Sequence, residues 1–350
     1  LPLFSIYIKE GFPLAQRLGR YTLKMEHMPS IQGYAAVVGK KEGEGPLGKQ
    51  FDYIYEDTTL GESSWEKAES RLQTDAVNRA LKKAGVQSSE IDYIFAGDLL
   101  NQCISSTFGL RSLDIPFLGQ YGACSTMAQT LALSAILVET GAARRCVAVT
   151  SSHFCSAERQ FRFPLEYGGQ RTPTAQWTVT GSGAAIVGNT GNSPYISAVT
   201  VGRITDLGIK DANNMGAAMA PAAYSTLTDF LQDTGTKPSD YDLIVTGDLG
   251  EVGSTLLKEL LQKDGVDLSK NHADCGLLIF DKENQDVHAG GSGCGCAGSV
   301  LCSYLLNRLK SGELNNVLFM ATGALMSTTS SQQGESIPGV AHLIHLKSSL

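Results

Sequence analysis

The chain has no apolar run approaching the ~20 residues that a membrane-spanning helix needs. Its longest candidate, Met127 to Val138, is interrupted by Gln129, Thr130 and Ser134. It has no cluster of lysine and arginine, and the formal net charge is -7. Those two facts speak against nucleic acid as a partner and against simple charge attraction to anionic lipid. Zinc-site spacing is missing as well: Cys294-Gly-Cys296 lacks the usual two-residue spacer, and no second pair with a suitable histidine follows. The apolar start Leu1–Ile8 is short and has no basic region before it, so a secretory signal is not expected. The eight cysteines, Cys103, Cys124, Cys146, Cys155, Cys275, Cys294, Cys296 and Cys302, are scattered over apolar segments. They read as buried thiols in a reducing compartment rather than as a disulfide framework.

What the chain does have is ordinary globular composition and an internal repeat. Its 350 residues, 42% hydrophobic and 18% charged, suffice for two domains or one two-part core. Ser89-Glu-Ile-Asp-Tyr-Ile-Phe-Ala-Gly-Asp98-Leu corresponds to Ser239-Asp-Tyr-Asp-Leu-Ile-Val-Thr-Gly-Asp248-Leu. Each segment has an acidic turn, an apolar strand and a Gly-Asp-Leu corner, and each follows an amphipathic helix, Ser64–Ala84 or Ala222–Asp233. A second pair repeats the design. Gly122-Ala-Cys124-Ser-Thr opens an apolar helix that leads to the strand Cys146–Thr150; Cys294-Gly-Cys296-Ala-Gly-Ser opens the helix Val300–Leu309, which leads to Val317–Thr322. Cys124 stands as far from Thr150 as Cys296 does from Thr322. Strands and helices of this length build right-handed βαβ units on a mostly parallel sheet. Two copies predict two similar halves, residues 31–190 and 191–350, joined at Gly191-Asn192-Ser193-Pro194. Residues 1–30 are expected to form a partly ordered extension outside the repeat, and Cys124 and Cys296 are expected to face a shared centre.

A duplicated βαβαβ half with Gly122-Ala-Cys-Ser-Thr126 at a helix start resembles the thiolase and ketoacyl-synthase superfamily. The resemblance implies a thiolase-like α/β fold of five layers, α-β-α-β-α. Nine strings narrow it further: Gly45-Pro-Leu-Gly48, Ala96-Gly-Asp-Leu-Leu-Asn-Gln102, Gly122–Thr126, Thr150-Ser-Ser-His153, Ala157-Glu-Arg-Gln-Phe-Arg162, Glu166-Tyr-Gly-Gly-Gln170, Thr178-Val-Thr-Gly-Ser-Gly183, Met219-Ala-Pro-Ala-Ala223 and Ala289-Gly-Gly-Ser-Gly-Cys294. In order, from about residue 25 to the C-terminus, they look like the stage V sporulation protein AD family of spore-forming bacteria. That resemblance implies a non-enzymatic role: binding dipicolinic acid (pyridine-2,6-dicarboxylate), free or as its calcium chelate, and serving its uptake into the developing spore and its release in germination. It further implies a soluble or peripheral subunit of a membrane channel complex (SpoVA), cytoplasmic or on the spore inner membrane, with other membrane proteins of that complex as partners. It implies a homodimer paired through the strand Ile94–Leu99, and no cofactor.

Cys124, at a Gly-Ala corner before a helix, has the setting that stabilises a thiolate, and in the superfamily this position is the acylated nucleophile. The alternative is a small buried residue at a tight turn. A working thiol nucleophile needs a base and oxyanion donors. The resemblance puts the superfamily's histidine at Ser292, a second cysteine near Ala321, and the ketoacyl-synthase base in Gly247-Asp248-Leu249-Gly250; none of these places holds histidine. Condensing chemistry by that route is therefore expected to be lost, and no residue is assigned a catalytic role.

His153 follows a strand and is read first as a hydrogen-bonded structural residue, second as a neighbour of Cys124. Arg159, Arg162 and Arg171, interleaved with Phe161, Phe163 and Tyr167, suit a planar aromatic dicarboxylate; the plainer reading is a surface loop whose arginines pair with Glu158 and Glu166. Ser292-Gly-Cys294-Gly-Cys296 offers backbone N–H groups to an anion or else close helix packing. The expected ligand-binding set is thus Cys124, His153, Arg159, Arg162, Tyr167, Asp248, Ser292 and Cys294. Two other functions stay open: an acyl-CoA condensing or acyl-transfer enzyme using Cys124, and a structural dimeric adaptor of a membrane complex.

Overall fold

The computed structural model describes residues 15–161 and 170–350. In the first half, β1 (Ser30–Gly39), β2 (Tyr93–Gly97), β3 (Phe117–Gly119), β4 (Arg145–Ser152) and β5 (Gly181–Gly188) lie side by side in the order β1-β5-β4-β2-β3. In the second, β6 (Tyr195–Val201), β7 (Leu243–Thr246), β8 (His272–Asp274), β9 (Asn316–Ala324) and β10 (Gly339–Lys347) lie in the order β6-β10-β9-β7-β8. The two orders are the same position for position. So are the directions: β2, β3 and β4 are mutually parallel, as are β7, β8 and β9, while β5 and β10 run antiparallel to both neighbours. One pair, Tyr195 opposite Ser30, joins the sheets edge to edge.

The strands read as nearly unbroken apolar runs because helices cover both faces. Helix α1 (Trp65–Ala84) packs on the outer face of the first sheet, against β1, β4 and β5. It starts where the Ser64 hydroxyl accepts from the Lys67 N–H at 3.3 Å and stops at Gly85 in the left-handed conformation. Two central helices lie between the sheets: α2 (Thr126–Glu139) and the helix that begins as α6 (Cys294–Val300) and continues through one wider turn, Leu301–Leu305, to Lys310. Both are buried on nearly every side, which explains why neither is amphipathic in sequence. Helices α4 (Met215–Thr234) and α5 (Gly250–Lys263) form the layer outside the second sheet. The layers are therefore helix, sheet, helix, sheet, helix. The short helix α3 (Phe154–Phe161) follows β4 at the ends of the strands. Close packing of α6 on β5 depends on glycine: a Cβ on Gly183 would stand 2.1 Å from the Gly298 carbonyl oxygen.

Two sequence expectations are corrected. Helix α4 begins at Met215, well before Ala222, capped by the Asn214 side chain, and carries Pro221 inside it. Burial of Met219, Ala222 and Ala223 outweighs the hydrogen bond that proline cannot donate. Strand β2 cannot pair with a second copy, because it is hydrogen-bonded to β4 on one side and β3 on the other. The open edge is β3, where Phe117 and Leu118 are exposed near Phe108 and Tyr121. Part of the N-terminal extension is also built into the fold. Thr22–Lys24 pairs with β6, and carboxylates hold the segment down: Asp233 accepts from the N–H groups of Arg20, Tyr21 and Thr22, and Glu139 from those of Glu26 and His27.

Candidate functional site

Cys124 lies in the loop between β3 and α2, just ahead of the helix start at Thr126. Ala123 before it adopts φ +49°, an unusual conformation for a residue with a side chain. The end of β9 packs against this corner, with Gly323 so close to Gly122 that a Cβ would stand 2.2 Å from the Gly122 carbonyl oxygen. The corner is therefore pinned by the second half, and the Cys124 side chain faces residues of that half.

The carboxylate of Asp248 meets it there. Asp248 follows β7 and is fully buried. Its Oδ2 accepts from the Gly293 N–H at 2.8 Å and from the Ser292 hydroxyl at 3.3 Å; its Oδ1 accepts from the Thr322 hydroxyl at 3.1 Å. The Cys124 thiol lies against the same carboxylate. Burial pushes the Asp248 carboxyl up to about 6, against the opposing effect of the Cys124, Gly293, Thr322 and Ser292 donors. The Cys124 thiol is driven well above its usual range, first by burial and then by the Asp248 charge. A thiol beside an acid, with no imidazole among its described neighbours, keeps its proton at neutral pH. Cys296, the repeat mate of Cys124, is fully buried, with its sulfur 3.7 Å from the Gly247 carbonyl oxygen. Cys124, by contrast, opens on a cavity.

That cavity, ≈ 50 Å³, is mainly apolar. Leu99, Phe161, Met215, Met219 and Met326 form its walls, and Cys124, Glu158, Thr178 and Ser292 supply the polar atoms, with Tyr121 at the exposed side. Of the expected ligand-binding residues, the structure brings Cys124, Asp248, Ser292 and Cys294 together. The Cys294 thiol donates to the Ser151 carbonyl at 3.0 Å and packs with Leu99, Cys124 and Ala157.

His153 and Arg159 are placed elsewhere. His153 is buried, with Nε2 2.8 Å from the Thr58 carbonyl and Nδ1 accepting from the Cys155 N–H, so both ring nitrogens are held by backbone. Desolvation lowers its pKa, which keeps it neutral. Arg159 sits half-exposed in a separate groove, paired with Glu66 and stacked over Trp65. Arg171 pairs with Asp286 and lies over Trp177. Arg162 and Tyr167 lie outside the described residues.

Sequence reasoning missed Thr322, the third protein ligand of Asp248, although it is the repeat mate of Thr150. It also missed the methionine wall, whose signal (Met219 in the string Met219-Ala-Pro) was read only for resemblance. The acidic character of the centre was missed too. Asp274 accepts from Thr246, Leu249 and Gly250, and burial pushes it up to about 7. Asp98, the repeat mate of Asp248, is held by Leu100 and Ser106; it and neighbouring Glu69 are both raised, chiefly by burial. Among the described residues no group of three or more His, Cys, Asp or Glu side chains is placed to hold a metal ion, and no helix is long and apolar enough to cross a membrane.

Comparison with known proteins agrees with this architecture. 3-Oxoacyl-[acyl-carrier-protein] synthase III from Aquifex aeolicus superposes with TM-score 0.54 at 14% identity, covering 91% of this chain and 99% of that one. Cerulenin-bound OleA from Xanthomonas campestris superposes with TM-score 0.58 at 14% identity, covering 95% of this chain and 97% of that one. These likenesses establish the thiolase-like fold. At the sequence level, stage V sporulation protein AD of Bacillus subtilis (strain 168) is 47% identical over 324 residues, 93% of this chain and 96% of that protein. The family model "Stage V sporulation protein AD (SpoVAD)" matches residues 19–347. The chain thus belongs to the stage V sporulation protein AD family, sporulation proteins here carried on the fold of acyl-condensing enzymes.

Proposed function

We propose that the protein serves sporulation as a ligand-binding protein, and that its thiolase-like centre has been converted from an acylation site into a pocket for dipicolinic acid. The observation that carries the first half of this reading is Asp248: a buried acid, whose carboxylate is a far weaker base than a thiolate, stands against Cys124, and its charge opposes loss of the thiol proton. An oxyanion forming at Cys124 would likewise meet that carboxylate instead of donors alone.

The identity of the ligand rests on the family resemblance. The pocket's chemistry is compatible with it: thioethers and aromatic rings take the faces of a flat ring, and the Ser292 and Thr178 hydroxyls line the cavity as donors for a carboxylate. A cavity of ≈ 50 Å³ holds on the order of four waters. A ring of this size therefore enters by displacing Met219, Met326 or Phe161, side chains flexible enough to move. Arg162 and Tyr167, in the segment that continues from Phe161, are the proposed carboxylate and ring contacts. Association with membrane subunits of the channel complex, calcium as co-ligand and homodimerisation belong to the same proposal.

Calorimetric titration with dipicolinate, picolinate and acetyl-CoA in parallel tests it. Saturable binding of dipicolinate, weaker binding of picolinate and none of acetyl-CoA are expected. Acetyl-CoA binding accompanied by a one-acetyl mass increase that Cys124→Ser abolishes would instead establish the acyl-transfer reading.

A further inference from the structure

A second, larger cleft lies at the turn between the two sheets. It measures ≈ 600 Å³, within the usual range for small-molecule sites. Its polar lining comes from five separate parts of the chain, the first being Gln32 and Tyr34 of β1. Lys83 lies in the last turn of α1, Arg145 begins β4, Lys310 ends the helix that starts as α6, and Thr190–Ser193 is the turn from β5 to β6. Three cations line it and, among the described residues, no acidic side chain does, in a chain whose formal charge is -7.

Two of these cations have carboxylate partners outside the cleft lining. Lys83 Nζ is 2.5 Å from Asp52 and Arg145 Nη1 is 3.5 Å from Glu90, while Arg145 Nε donates to Gln32. Lys310 makes no ion pair among the described residues. The turn adds neutral donors: among the described residues the N–H groups of Gly191, Asn192 and Ser193 donate to no backbone acceptor, and the Ser193 Oγ is buried without a partner. Successive unpaired amides in a turn form an anion-binding concavity. Ile31, Ala84 and Val86 supply an apolar wall.

We propose that this cleft binds the phosphate group of a phosphate ester, with Lys310, Arg145 and the Gly191–Ser193 amides around the phosphate and the organic part along the Ile31–Val86 wall. A tetrahedral phosphate takes donors from several directions, as two cations and a turn of amides from separate parts of the chain provide; a single carboxylate, planar, would leave most of them unused. The cleft is far larger than a phosphate alone, which leaves room for its substituent. It is separate from the Cys124 pocket and shares no residue with it.

The test titrates the full chain with inorganic phosphate, glycerol 3-phosphate, and vesicles of phosphatidylglycerol or of phosphatidylcholine. Lys310→Glu and Arg145→Gln are the variants; Lys310 is exposed, and dipicolinate titration and circular dichroism check that the variants remain folded. Saturable binding of glycerol 3-phosphate, tighter than that of inorganic phosphate and weakened about tenfold or more by Lys310→Glu, is the expected result. Binding to phosphatidylglycerol vesicles alone, lost in the same variants, also supports the site and assigns the phosphate to a lipid headgroup. Failure of every probe to bind saturably, or binding that both variants leave unchanged, would overturn the proposal.

Discussion

Replacing Asp248 by asparagine tests the electrostatic description of the centre directly. The substitution keeps the size of the side chain and one acceptor oxygen, so the hydrogen bond from Gly293 can survive and the Thr322 hydroxyl can turn to accept from the amide, but it removes the charge. The wild-type carboxyl is raised from its ordinary 3.8 to about 6 by burial. A carboxyl whose pKa is higher in the folded state binds its proton more tightly there. Stability is therefore fullest below pH 4, falls as pH rises through the window from about 4 to 6, and stays reduced above it. At 1.36 kcal/mol per pH unit, a shift of about two units lowers wild-type stability by about 3 kcal/mol between pH 4 and pH 8. Asp248→Asn has no such window. Urea denaturation of both proteins across that range should show the variant gaining about 3 kcal/mol on the wild type as pH rises. Glu42, pushed up to about 7, and Asp274 titrate in both proteins and largely cancel in the difference. The Asp274 shift includes an Asp248 contribution that the variant removes, which acts in the same direction. Because the Asp248 charge also holds the Cys124 proton in place, the variant should react faster with iodoacetamide at Cys124. A stability difference that does not change between pH 4 and pH 8 would refute the assignment of a strained buried acid at this position.

Other outcomes follow from the same geometry. Dipicolinate affinity should fall as pH rises through about 6, because the charge that Asp248 gains behind Cys124 and Ser292 repels a dianion; titration at pH 5 and pH 8 reads the difference, and equal affinities would show that the ligand binds beyond the reach of that charge. Arg159→Ala should leave dipicolinate affinity nearly unchanged, since that guanidinium is paired with Glu66 in another groove, whereas Arg162→Ala should cost roughly 2–5 kcal/mol by calorimetry. Light scattering should give twice the 37.2 kDa chain mass, and Leu118→Lys on the open edge of β3 should return the monomer without loss of fold. Gly183→Ala should destabilise the chain strongly in urea denaturation, because its Cβ would meet the Gly298 backbone, which has no side-chain freedom with which to yield.

The sequence by itself determined the duplicated architecture. The Gly-Asp-Leu corners at Asp98 and Asp248 and the equal spacings from Cys124 and Cys296 are local patterns, and local patterns carry strand, turn and helix order directly. It also supplied the residue types at the two positions that the resemblance singled out, Ser292 and Asp248, neither of them a histidine. Tertiary structure alone decided the rest. Which strand is the sheet edge depends on pairing partners far along the chain, and so β3 replaced the strand at Ile94–Leu99. Which polar residues meet depends on how the halves pack. His153 and Arg159 are near Cys124 in sequence terms, yet Thr58 and Glu66 claim them, while Thr322, remote in sequence, reaches Asp248. The repeat makes Cys124 and Cys296 equivalent in pattern, but burial does not: packing closes the corner at Cys296 and leaves the one at Cys124 against a cavity walled by methionines, so that among the described residues the symmetric duplication carries its central pocket at Cys124.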